Sequence, residues 1–207
     1  MSKKNSSLCM LIALLAGASF TACKKSSDSP SGTTPVTAKT VTNVNADPSL
    51  TGNHYAFYSL ERGEAVAYTD SATNKWDIAF RSTTIIINGG TSGPALGGAF
   101  VQTGTTLDEY AKVPADSTFR VDNIAATPAF AIPTGSGNGW YNYNTSTNVI
   151  SPIPGRVLVV RTATGKYAKV EITSYYKDAP ATPDANSTPR YFHFRFGLQA
   201  DGSKNFK

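Results

Sequence analysis

Five residues, Trp76-Asp77-Ile78-Ala79-Phe80, limit what this chain can fold into more than any others. Trp, Ile and Phe stand at alternate positions, the two-residue period of a strand with a buried face. Beyond them come Asn88-Gly89-Gly90-Thr91-Ser92-Gly93 and then Gly97-Gly98-Ala99, a density of glycine that calls for tight turns or close backbone approach. A phosphate cradle would need these glycines to lead from a strand into a helix N-terminus. Pro94 breaks the run instead, and Ala99-Phe100-Val101-Gln102 resumes a strand pattern, so the glycines are expected to carry a crossing between sheets that needs positive φ.

The same period recurs along the chain. His54 to Leu60 and Ala65 to Tyr68 flank Glu61-Arg62-Gly63-Glu64, a connection suited to a hairpin. Trp76 to Phe80 and Thr83 to Asn88 read as one bent strand or two, with Arg81-Ser82 at the join. Val157 to Thr162 is joined through Ala163-Thr164-Gly165 to Lys166 to Tyr176, a strand expected to have one wet face and a bulge near Ala168. In the last strand, Arg190 to Gly197, Phe192, Phe194 and Phe196 should face the core, leaving Tyr191, His193 and Arg195 on the other side. One helix-like segment of one or two turns is expected over Leu107 to Val113, stopped by Pro114. The fold class is therefore all-β, a mostly antiparallel single domain, with sandwich and barrel not separated by pattern alone.

The first residues have the layout of a lipoprotein leader. Lys3 and Lys4 form a basic start, Leu8 to Ala18 an apolar stretch too short to span a bilayer, and Phe20-Thr21-Ala22-Cys23 a cleavage site ending in cysteine. Residues 1–22 are read as the signal peptide, and Cys23 as the lipidated first residue that anchors the protein to a membrane without crossing it. Residues 23–40 are rich in Ser, Thr, Pro and Lys and are expected to form a disordered tether; residues 41–207 form the domain. Removing the leader lowers the formal charge of +5 by the two lysines it contains. With no Arg-rich face, nucleic-acid binding is excluded as a working reading. Cys9 leaves with the leader and Cys23 carries lipid, so disulfides, thiolate metal sites and a cysteine nucleophile are excluded from the domain.

An enzyme is not expected. The sequence has no GxSxG, HExxH or Walker loop. The acids Asp108-Glu109 read as a solvated face. The two histidines, His54 and His193, read as structural residues unless the fold brings them together.

The order of the pieces resembles the HmuY family of Bacteroidetes surface lipoproteins. The resemblance runs from W-D-I-A-F through N-G-G-T-S-G and G-G-A, then through V-V-R-T-A-T-G-K-Y-A-K-V to Y-F-H-F-R-F. It implies a lipid-anchored protein of the outer membrane or cell surface that captures haem, or a similar flat ligand, for a TonB-dependent outer-membrane receptor. In that family the iron ligands come from mid-domain His or Met; between Ala99 and Val157 this chain has neither, and Met10 is its last methionine. The haem-binding residues expected under the resemblance are then Tyr141 and Tyr143 with Trp140 beside them, and His193; no metal ligand is otherwise assigned. A phenol with a pKa of about 10 must ionise before it holds ferric iron. An alternative is an interaction lipoprotein that keeps the fold and binds a glycan or another protein, because Trp140, Tyr141 and Tyr143 suit sugar stacking equally well.

Overall fold

The segments with a two-residue period form strands. The computed structural model describes residues 36–124 and 129–207; the leader and Cys23 lie outside the described residues. Eleven strands run in chain order: β1 Lys39–Asn45, β2 Ala56–Ser59, β3 Glu64–Val66, β4 Ile78–Arg81, β5 Thr84–Ile87, β6 Gly98–Thr103, β7 Tyr141–Asn144, β8 Val149–Pro152, β9 Arg156–Arg161, β10 Tyr167–Tyr176 and β11 Pro189–Gln199. They build a five-stranded sheet ordered β1-β11-β10-β9-β6, a four-stranded sheet ordered β3-β2-β4-β5, and a separate β7-β8 hairpin. Every paired strand is antiparallel. The two larger sheets pack face to face, so the domain is a sandwich.

The alternation decides which side chains meet between the layers. Tyr58, Ile78, Phe80, Ile85 and Ile87 from the smaller sheet pack with Leu158, Val160, Val170, Ile172, Phe192, Phe194 and Phe196 from the larger. Phe80 sits 4.6 Å from Phe192 and 5.5 Å from Phe194, ring centre to ring centre, which places aromatic contact at the middle of the core. The smaller sheet is apolar on both faces, because Phe57, Ala79 and Ile86 point the opposite way and join Trp76 in a second cluster. That outer face carries the cleft described below.

Of the two readings of the segment from Trp76 to Asn88, two strands form, β4 and β5, turned by Ser82 at φ 51°. Other expectations are corrected. β10 does not have a wet face along its first half: Lys169 is buried, its ammonium donating to the Tyr110 carbonyl at 2.9 Å. Leu107, Tyr110, Val113 and Phe206 close over that side. The irregular register against β11 falls between Ile172 and Tyr176, not near Ala168. Of the one or two helical turns expected over Leu107 to Val113 one forms, bonded from Tyr110 N to Thr106 O at 3.1 Å and capped where Thr106 and Glu109 bond each other reciprocally. At the other boundary, Val36 N already donates to Phe206 O at 3.2 Å and β1 opens at Lys39.

The glycines serve mainly close approach. A Cβ on Gly89 would lie 2.1 Å from the Gly97 carbonyl oxygen, and one on Gly97 2.3 Å from the Asn88 oxygen. The two ends of the motif abut backbone to backbone, joined by Gly97 N donating to Asn88 O at 2.8 Å. Within this stretch Gly90, at φ 65°, is the glycine with the left-handed conformation.

Glu61 ties the β2–β3 turn to the β9–β10 turn. Lys166 Nζ lies 3.0 Å from one carboxylate oxygen, and Thr164 Oγ1 donates to the other at 2.5 Å. Burial alone would raise the Glu61 carboxyl, but hydrogen bonds from Thr162, Thr164 and Lys166 outweigh it and hold it below its ordinary value. A depressed acid contributes stability that is present above its unfolded pKa and lost as pH falls through the folded value. Urea midpoints of the wild type and Glu61→Gln, compared at pH 7 and in acid, are expected to differ by at most about 1 kcal/mol at neutrality. The difference is expected to vanish in acid; a constant gap at both pH values would contradict it.

Candidate functional site

The four residues singled out by sequence do not form one accessible group. Trp140 is buried among Tyr141, Tyr175 and Phe192 at 4.8 to 5.5 Å, and its Nε1 donates to the Thr83 carbonyl at 3.0 Å. Tyr141 belongs to the same intersheet core. Tyr143, two residues on along β7, is 42% exposed and donates its hydroxyl hydrogen to Asn148 Oδ1 at 2.7 Å. His193 is buried on the outer face of the larger sheet, opposite Phe192 and Phe194, as the alternation requires.

The His193 Nε2 atom is buried with no hydrogen-bond partner. Burial lowers the His193 pKa, partly countered by a hydrogen bond with the Tyr176 backbone and by the Asp178 charge. His54 stands before β2 in the smaller sheet and stacks on Tyr68, ring centres 3.4 Å apart. His54 thus precedes a strand of the smaller sheet, whereas His193 lies within β11 of the larger one. Among the described residues no three His, Cys, Asp or Glu side chains gather in a metal-binding arrangement.

A more spacious opening lies elsewhere among the described residues, on the outer face of the smaller sheet. It is a cleft of about 780 Å³ floored by Phe57 and Ile86, walled by Tyr55, Phe130 and Ile124, and rimmed by Gly90 to Pro94. Its volume is that of a small-molecule site. Trp76 supports it from beneath: the indole packs edge-on to Phe57 at 4.8 Å and donates from Nε1 to the Ser71 carbonyl at 2.8 Å. Gly93 lies against that indole so closely that a Cβ there would come within 2.8 Å of the ring.

Two buried polar side chains hold the rim. Asn88 donates to the Thr73 and Trp76 carbonyls at 2.9 and 2.8 Å. Asp122 accepts from Ile87 N and Ala131 N, both at 2.8 Å, and its backbone oxygen accepts from Thr91 N at 2.9 Å. These bonds clamp the chain on either side of the opening. Among the described residues the one cationic group lining the cleft is Arg81, whose guanidinium lies 4.6 Å from the centre of the Tyr55 ring. Sequence reasoning placed Arg81 only at a strand junction. Its position over Tyr55 arises from pairing β2 with β4, a contact between residues 26 positions apart along the chain.

The domain is thus an antiparallel sandwich with an apolar cleft on the outer face of its smaller sheet. The chain matches the HmuY protein family over residues 51–195, well over half its length, and belongs to that family. It is similar to three crystal structures. The apo HmuY analog TFO of Tannerella forsythia has a TM-score of 0.50 at 15% identity, covering 79% of this chain and 95% of that one. Apo PinO from Porphyromonas gingivitis has a TM-score of 0.49 at 15% identity, covering 80% and 98%. A candidate HmuY-like heme binding protein from Bacteroides vulgatus has a TM-score of 0.48 at 16% identity, covering 77% and 90%. These likenesses concern the fold. The comparison with curated proteins yields no match.

Proposed function

We propose that this HmuY-family protein captures haem, or a related flat apolar ligand, at the surface of the cell and passes it to a TonB-dependent outer-membrane receptor. The observation that carries the reading is the cleft: an apolar trough of about 780 Å³ with one arginine at its edge, on a member of a family of binding proteins. A porphyrin needs a flat apolar seat and a partner for its carboxylates, and both are present. Axial ligation by Tyr143 is the second reading. It is favoured by one feature, the exposure of that phenol on the β7-β8 hairpin.

Titration of the purified domain with haemin, followed at the Soret band, tests the reading. Ile124 is 49% exposed on the cleft wall, so Ile124→Glu costs little stability and places a negative charge beside the ligand. Haemin affinity is expected to fall about tenfold in Ile124→Glu, the effect of one unfavourable charge at a partly buried site. Loss in Tyr141→Phe/Tyr143→Phe with Ile124→Glu unchanged would move the site to the hairpin. No Soret shift at all would reject haem and favour the glycan or protein partner.

Attachment to the membrane is proposed to occur through lipid on Cys23. Cys23→Ala is expected to leave the domain folded and release it to the soluble fraction, since a tether as polar as residues 24–35 has no other hold on a bilayer. Retention of the variant in the membrane fraction would overturn the anchor.

A further inference from the structure

Among the described residues the lining of the cleft offers flat apolar surface and a cation but no strong ligand for a metal. Tyr55, Phe57, Ile86, Ile124 and Phe130 give flat or apolar surface, and no His, Met, Cys, Asp or Glu lines the opening among the described residues. Thr and Ser at the rim are weak ligands for haem iron. Tyr55 carries the one phenol in the cleft. Burial pushes that phenol up from its ordinary value, against the pull of the neighbouring Arg81, so it stays a neutral hydroxyl at neutral pH.

Arg81 is the group left with capacity. One of its nitrogens donates to the Asn53 carbonyl at 3.3 Å, and no carboxylate pairs with it among the described residues. Several other cations of the domain are paired with carboxylates, including Arg190 with Asp47 and Arg195 with Asp108 and Glu171, while Arg156, outside the cleft, gives its guanidinium to the Gly137, Asn138 and Gly139 carbonyls. The acid nearest in effect to Tyr55, Asp122, faces inward to the Ile87 and Ala131 amides and does not neutralise Arg81. The guanidinium lies 4.6 Å from the centre of the Tyr55 ring, and a guanidinium has five N–H donors, more than its contacts with Asn53 and Tyr55 use, in a fork that suits a carboxylate.

We infer that the cleft binds a flat, apolar, carboxylate-bearing ligand of the porphyrin class through its ring plane and its acid groups, irrespective of whether a metal occupies the ring, with Arg81 as the carboxylate partner. The inference builds on the haem-class reading of the same cleft and goes further by assigning the affinity to the organic ring. A metal-free porphyrin should then be as good a ligand as haemin.

The experiment compares haemin, zinc protoporphyrin and metal-free protoporphyrin IX on the mature protein, by Soret absorbance and by quenching of tryptophan fluorescence. The dimethyl ester of protoporphyrin IX, Arg81→Gln and Arg81→Lys complete the set. The three acids are expected to bind within about threefold of one another, whereas the ester and Arg81→Gln each weaken binding about tenfold, the weight of one charge-assisted hydrogen bond. Arg81→Lys should recover part of that loss. Haemin binding tenfold or more tighter than the metal-free ring would overturn the inference while leaving haem capture standing. Unchanged binding of the ester or of Arg81→Gln would overturn the carboxylate partner. If none of the porphyrins binds, the haem-class reading fails with it.

Discussion

Trp76→Ala is expected to lower stability by about 3 to 5 kcal/mol, the range for emptying a fully buried aromatic site. The side chain has no exposed surface, and its ring meets Phe57 edge-on at 4.8 Å. The indole N–H is spent on the Ser71 carbonyl, which the substitution leaves without its donor in the same step. The consequence reaches function, since Phe57, Ile86 and Gly93 line the cleft and all stand against this one indole or its cluster. Loss of porphyrin binding should therefore accompany the drop in thermal midpoint. Ser203→Ala is the comparison: its Oγ has no hydrogen-bond partner, so removing it strands no other group. A thermal midpoint for Trp76→Ala near that of Ser203→Ala would mean that the cleft floor does not depend on the indole.

Strands are legible in this sequence because alternation is a local signal, and burial on one side is enough to produce it. β9, β10 and β11 follow the pattern, and Phe192, Phe194 and Phe196 do point into the core together. Coverage of the second face is not local. Lys169 reads as a wet residue until Leu107, Tyr110 and Phe206, from distant parts of the chain, close over it. The stretch from Leu107 reads as one or two helical turns, and a single capped turn suffices to bring Leu107 and Tyr110 onto the sheet.

The cleft was hidden for a related reason. Its residues come from Tyr55 to Phe130, and each one alone looks like an ordinary strand or turn position. Val66, Ala79 and Ile86 point outward by the same alternation that sends Ile78, Phe80, Ile85 and Ile87 inward. A run of apolar residues such as Ile85-Ile86-Ile87 does carry a trace of this, because an uninterrupted run has no polar face to give to water. The Trp140-Tyr141 pair shows the converse. An aromatic cluster between glycines and asparagines looks like a stacking surface in sequence, whereas here the rings fill the end of the intersheet core.

Asp77→Ala is expected to match or exceed the loss from Trp76→Ala, for an electrostatic reason. The carboxylate is buried and accepts from Leu60 N at 2.7 Å, Glu61 N at 3.2 Å and Ala163 N at 2.8 Å, with Ser59 Oγ at 3.3 Å. Ala163 lies in the β9–β10 turn of the larger sheet, while Leu60 and Glu61 open the β2–β3 turn of the smaller, so one side chain pins the two layers. Truncation leaves three backbone donors without their acceptor, at about 1 to 3 kcal/mol each where they stay dry. The pH dependence separates this residue from Glu61. Burial outweighs the hydrogen bonds and raises the Asp77 pKa, so the folded protein holds the proton more tightly than the unfolded chain does. Its linkage therefore has the opposite sign: stability rises as pH falls through the raised value and levels off below the unfolded one. In urea titrations across mild acid, Asp77→Asn should remove that gain, whereas Glu61→Gln removes a loss. If Asp77→Ala unfolds no more readily than Ser203→Ala, the carboxylate does not hold the sheets together.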